Sequence, residues 1–192
     1  MINNMKHILN RLALPVFFLA AVACADESLD PIRFNDLAKG SLLALRGDAF
    51  ANLNTTGCSN IFNKNNIAGT EVFSFDADFL SEDPSSLQEV KVYGRIRTGA
   101  RVELKTVPAS AFSIPDGERY PRGNVSIPLS EILIKLNVVN PANLGLFDIV
   151  IESDLYLTDG SVVGSAAIVN SGLFESGIFY PAQRLNYCSG TP

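Results

Sequence analysis

Residues 71–80, Glu-Val-Phe-Ser-Phe-Asp-Ala-Asp-Phe-Leu, constrain the fold more than any other stretch of the chain. In an extended backbone Phe73, Phe75, Ala77 and Phe79 fall on one side, with Val72, Ser74, Asp76 and Asp78 on the other. A helix would scatter these phenylalanines around its circumference, whereas a strand gathers them, so the period of two predicts a half-buried β-strand. The same rhythm returns in residues 89–98. There Val90, Val92, Gly94 and Ile96 oppose Glu89, Lys91, Tyr93, Arg95 and Arg97. After Thr98-Gly99-Ala100 it resumes, with Val102, Leu104 and Thr106 expected inward and Arg101, Glu103 and Lys105 outward, which predicts a hairpin. Residues 146–157 set Phe147, Ile149, Ile151, Leu155 and Leu157 against Asp148, Glu152 and Asp154. Asp159-Gly160 then supplies a turn into a return strand over 162–169.

Shorter strands are expected at 41–46, 124–127 and 184–188. Residues 52–66 carry Asn at 52, 54, 60, 63, 65 and 66 around Gly57 and Cys58, a composition that predicts a surface loop. Residues 81–85 and 114–123 also read as loops. Ser130 is placed to N-cap a helix over 131–136, which Asn140-Pro141-Ala142-Asn143 breaks. Phe174, Ile178, Phe179 and Tyr180 lead into the last strand. Six to eight short strands with one short helix predict an all-β fold, an immunoglobulin-like β-sandwich.

The N-terminus has its own logic. Lys6 and Arg11 precede an apolar run from Leu12 to Ala23 that is too short to span a bilayer comfortably. The run ends in Ala21-Val22-Ala23-Cys24, which resembles the lipobox of bacterial lipoproteins. The resemblance implies a signal peptide over 1–23 and an acylated (palmitate-bearing) Cys24. A lipidated tether over 24–39 and a single sandwich domain over 40–192 then follow. Several acyl chains hold a protein durably in a membrane, so the membrane is the first expected partner. Of fifteen Lys and Arg the leader takes two, so thirteen face twenty carboxylates, a net charge of −7. An acidic chain without a dense basic tract is a poor nucleic-acid binder, and none is expected. Of three cysteines, lipid claims Cys24 and leaves Cys58 and Cys188 as an even pair in an oxidising compartment, predicted to be bridged.

The leader also removes His7, the only histidine. That excludes Ser-His-Asp and Cys-His catalysis and histidine-ligated metal centres from the mature chain. No phosphate-binding Gly-rich loop or nucleophile elbow is present, so no catalytic residue, cofactor or metal is expected. Carboxylate pairs could act as a glycosidase acid and nucleophile, but only across a cleft of about 5–10 Å. Asp76 and Asp78, with Glu82-Asp83 nearby, offer hard oxygen ligands for Ca²⁺, yet they lie on a strand and no glycine-bearing calcium loop follows. Lys91, Tyr93, Arg95, Arg97, Arg101 and Lys105 form a cationic ribbon, read either as an interaction patch or as a solvated face neutralised by Glu89 and Glu103. Sugars stack on aromatic rings, and the chain has no Trp, so a glycan would have to use Tyr93, Tyr120, Phe179 or Tyr180.

Several stretches together resemble a family. Acidic Ala25-Asp26-Glu27 behind the lipid cysteine is similar to a surface-export signal of Bacteroidota lipoproteins. Residues 36–43, 106–112 and 121–126, with Leu129-Ser130-Glu131, Thr158-Asp159-Gly160 and the final Tyr187-Cys188, look like small lipoproteins of that phylum. Such proteins often accompany SusC/SusD-type import systems. The resemblance implies an outer-membrane lipoprotein facing the cell surface. Its implied role is an accessory to a TonB-dependent transporter and SusD-like lipoprotein, or a glycan- or ligand-binding module. It transfers no site residue beyond Cys24.

Overall fold

A computed structural model describes residues 40–67, 69–170 and 181–190. Residues 1–39, and with them the expected leader, Cys24 and the expected tether, lie outside the described residues, as do Phe174, Ile178, Phe179 and Tyr180. The strands are β1 Leu42–Arg46, β2 Asn60–Asn63, β3 Val72–Leu80, β4 Leu87–Ile96, β5 Val102–Pro108, β6 Arg122–Pro128, β7 Ile149–Leu157, β8 Val162–Val163 and β9 Arg184–Gly190. The helices are α1 Gly47–Thr56, α2 Leu129–Lys135 and α3 Ser165–Asn170. Two sheets form, one in the order β1-β3-β6 and one in the order β2-β9-β7-β4-β5. All pairings are antiparallel except β2 with β9. β8 and β9 share one edge of β7, β9 along Ile149–Glu152 and β8 at Leu155 and Tyr156.

The expected β-rich architecture is therefore present, and the core lies where alternation put it. Phe73, Phe75, Ala77 and Phe79 are buried, as are Val90, Val92 and Gly94 on β4. Phe62 and Phe73 both pack edgewise or tilted on Tyr187, with ring centroids 4.8 and 5.0 Å away. A buried aromatic contributes about 1.5–3 kcal/mol through burial alone, so this cluster ties β2, β3 and β9 together. Beside it the predicted disulfide is formed: Cys58 and Cys188 are buried with Cα atoms 5.7 Å apart.

Six expectations are corrected. Residues 52–66 are not a loop. Gly47 and Gly57, both at positive φ, bracket helix α1, and Ala49 and Leu53, four residues apart, supply its buried stripe. Strand β2 follows it, so asparagine composition is overridden by packing. The chain has three described α-helices rather than one short helix. Ser130 is not an N-cap. Helix α2 begins at Leu129 behind Pro128, with Ser130 exposed inside its first turn. The return strand over 162–169 ends after two residues, because helix α3 follows with Ile168 buried. Finally, Thr106 faces out and Val107 is buried in its stead, because the β4–β5 register slips at a bulge between Val92 and Tyr93. Phe147, outside β7, is likewise exposed rather than buried.

Candidate functional site

Strand β7 is central in its sheet, with β4 on one side and β9 and β8 on the other. Its outward residues Glu152 and Asp154 are consequently covered by side chains from the neighbours and are only 6% and 7% exposed. Register sets Lys91 opposite Asp154 and Tyr93 opposite Glu152. An unpaired carboxylate so buried would be costly, so cations must meet it. Arg101 does so twice, its Nε 2.9 Å from Glu152 and its Nη2 2.8 Å from Asp154. Arg95 adds a contact of 3.3 Å to Glu152. Arg97, at the turn with φ of 51°, makes a two-pronged pair with Asp148, both contacts 2.7 Å.

Two tyrosines lie inside this frame. The Arg101 guanidinium sits 4.2 Å from the Tyr93 ring centre and the Lys91 ammonium 4.8 Å from that of Tyr156. Their hydroxyls are 3.5 Å apart. The hydrogen bond with Tyr156, then burial and the nearby acids, pushes the Tyr93 phenol up to about 12. The Arg97 fork holds the Asp148 carboxyl below its ordinary value. Lys91 also meets Glu89 at 3.5 Å, and Lys105 leaves the group to donate to the Ser126 carbonyl at 2.7 Å.

The structure thus brings Lys91, Tyr93, Arg95 and Arg101 onto one face, with Arg97 at its end and Lys105 reaching across to β6. The acids that organise them are Glu152, Asp154 and Asp148, which sequence reading had classed only as the polar side of β7. Alternation in residues 146–157 marked them as one face; nothing local said that β7 would lie beside β4. Glu103 pairs across from Tyr93 and accepts from the Thr106 hydroxyl at 3.0 Å.

The other sequence candidates fare differently. Asp78 is buried beneath Arg46 and Arg122, its Oδ1 2.8 Å from the Arg122 Nε, and so serves as their counter-charge. Asp76 accepts from the Asn124 amide at 2.8 Å. Among the described residues no cluster of His, Cys, Asp and Glu is arranged to hold a metal ion. Tyr120 is half-buried beneath the Arg119 guanidinium. Taken together, fold and site define a two-sheet β protein with an ion-paired, tyrosine-bearing face. Comparison with protein-family models, with curated proteins and with solved structures finds no match to this chain.

Proposed function

We propose that this protein is a non-enzymatic module of immunoglobulin-like sandwich type, anchored by lipid on Cys24 in the outer membrane, that works by contact with other envelope proteins. The strand orders support the sandwich reading: β5-β4-β7-β9 runs as C′-C-F-G does in such domains, and β1-β3-β6 as A-B-E does. The bridge from Cys58 to Cys188 departs from the usual inter-sheet B–F disulfide of antibody domains.

The observation that carries the contact reading is the double grip of Arg101 on Glu152 and Asp154 under Tyr93. It fixes the side chains of one sheet face before any partner arrives, which lowers the ordering cost of association. A tether concentrates such a face in two dimensions, so a modest interface is occupied. The partners this reading names are a TonB-dependent transporter and its SusD-like lipoprotein.

Recovery of the full lipoprotein from its own membranes tests this, with Cys24→Ala as the unanchored control and Lys91→Ala/Lys105→Ala as the face variant. Stoichiometric co-recovery of the transporter pair, reduced by the face variant, is the expected result. Recovery of no partner sinks the stable-complex reading and turns attention to glycans. For a sugar the Tyr93 ring is a poor platform, because Arg101 already covers one face of it.

A further inference from the structure

A sheet that ends against water presents a row of unpaired N–H and C=O groups, and proteins protect such edges with charge, proline, bulges or a covering segment. Among the described residues the two sheet orders end in four outer strands, β1, β6, β5 and β2. Three are protected. Along β1, Ala44 bridges Pro181 and the Ala182 N–H donates to the Leu43 carbonyl at 2.7 Å. The Gln183 amide, oriented to donate to the Leu43 carbonyl and accept from its N–H, completes that cover. Along β6, Arg122 exchanges both backbone bonds with Ser113, and the Lys105 ammonium takes the Ser126 carbonyl. Strand β5 carries Glu103 and Lys105, contains the bulge and ends in Pro108; the Lys135 ammonium binds its Leu104 carbonyl at 2.6 Å.

Among the described residues, strand β2 has none of these devices. Its sequence is Asn-Ile-Phe-Asn, without charge or proline, and among the described residues β9 is its only ladder partner. The next residue, Lys64, spends its ammonium on the Leu144 carbonyl at 2.7 Å rather than guarding the edge. Apolar side chains stand exposed around it: Ile61 is 54%, Leu146 46% and Phe147 49% exposed. They belong to one neighbourhood. Ile61 lies against Gly190, Phe147 against Gly57, and the Leu146 carbonyl accepts from the Ser189 N–H at 3.1 Å. Strand β8, two residues long, offers no comparable run.

We infer that β2 is a self-pairing edge: in two copies of this chain, the β2 strands align antiparallel about a twofold axis and join the two larger sheets into one. An extended strand is the occupant that an unpaired ladder edge selects, because only it returns both N–H and C=O groups in register. A second copy fits because the edge and its apolar neighbours are uncharged on an otherwise acidic chain, so like copies meet here without repulsion. A twofold axis sets Ile61 and Phe147 of each copy against the same uncharged surface of the other. With the other edges covered, pairing stops at two and cannot run on into a fibre. A four-residue strand and three side chains per copy fall short of the roughly 800 Å² per partner of a standard interface. The dimer is therefore weak in solution and relies on two-dimensional concentration, which rests on the lipid-anchor reading.

Site-specific photocrosslinking in native membranes tests this, with benzoylphenylalanine replacing Ile61 and, as an exposed apolar control, Val162. The expected result is a dimer-mass adduct at 61, none at 162, and loss of the adduct with Phe147→Glu in protein whose circular dichroism is unchanged. With Cys24→Ala at equal total amount the adduct falls. If it persists undiminished, self-pairing stands and the dependence on the anchor falls. No adduct at 61 in either form, even with the unanchored protein concentrated to hundreds of micromolar, overturns the pairing. An adduct to a different chain overturns the second copy as the occupant.

Discussion

At the scale of single residues, Arg101 is the counter-charge to two buried acids at once. It touches two carboxylates that are each nearly inaccessible, and it caps an aromatic ring. Breaking a buried pair leaves an uncompensated charge, which costs more than the pair is worth when intact. Arg101→Met should therefore destabilise the fold by about 2–4 kcal/mol in a denaturant titration, the lower bound reflecting the partial solvation of the guanidinium. Arg97→Met removes a pair whose cation is 66% exposed, and should cost under about 1 kcal/mol. Ser153 poses the opposite case. It is fully buried, and its hydroxyl has no hydrogen-bond partner among the described residues, so Ser153→Ala should be neutral or stabilising. Tyr93 gives a pH signature. Its folded value is raised from 10.0 to about 12, so its contribution is complete below pH 10 and is lost as pH rises through about 12. The stability gap between wild type and Tyr93→Phe should stay constant below pH 10 and shrink above it. A gap independent of alkaline pH would contradict that linkage.

At the scale of elements, the β4–β5 hairpin shows how one glycine and one bulge depend on each other. A Cβ on Gly94 would lie 2.8 Å from the Leu104 side chain, so the absent methyl is the space that Leu104 fills. Gly94→Ala should cost about 1–3 kcal/mol by overpacking, and Gly94→Ala/Leu104→Val should recover part of it, as thermal melts would report. The hairpin, its outward cations and its inward valines were legible because alternation is local. The bulge was not, because it serves the fit of Leu104 against Gly94. Helix α1 was illegible for a related reason. Its asparagines favour turns in isolation, and only contact of Ala49 and Leu53 with the sheets outweighs that preference.

At the scale of the molecule, the disulfide joins positions 130 apart in sequence and fastens the short β2 to β9. Closing so long a loop stabilises by at most about 4–5 kcal/mol in the chain-entropy model. Cys58→Ala/Cys188→Ala should lower stability by an amount approaching that figure. Native-state hydrogen exchange should then show β2 and the end of α1 losing protection first, with β3, β4 and β7 still protected. Uniform loss across the sheets would mean that the bridge supports the whole core rather than this corner.

Sequence alone determined which faces are apolar, where most strands run and which side chains form the cationic ribbon, because each depends on residue type and near spacing; the cysteine pair was legible from the count of cysteines instead. The tertiary structure alone decided that β7 lies between β4 and the β8–β9 edge. That neighbourhood makes Glu152 and Asp154 the buried counter-charges of the ribbon. It likewise decided that Asp78 is claimed by Arg46 and Arg122, and that β2 is the edge left unprotected among the described residues. The physical reason is that burial, charge compensation and edge exposure belong to pairs of strands distant in sequence. Their partners are chosen by how the sheets assemble, and no local pattern records that choice.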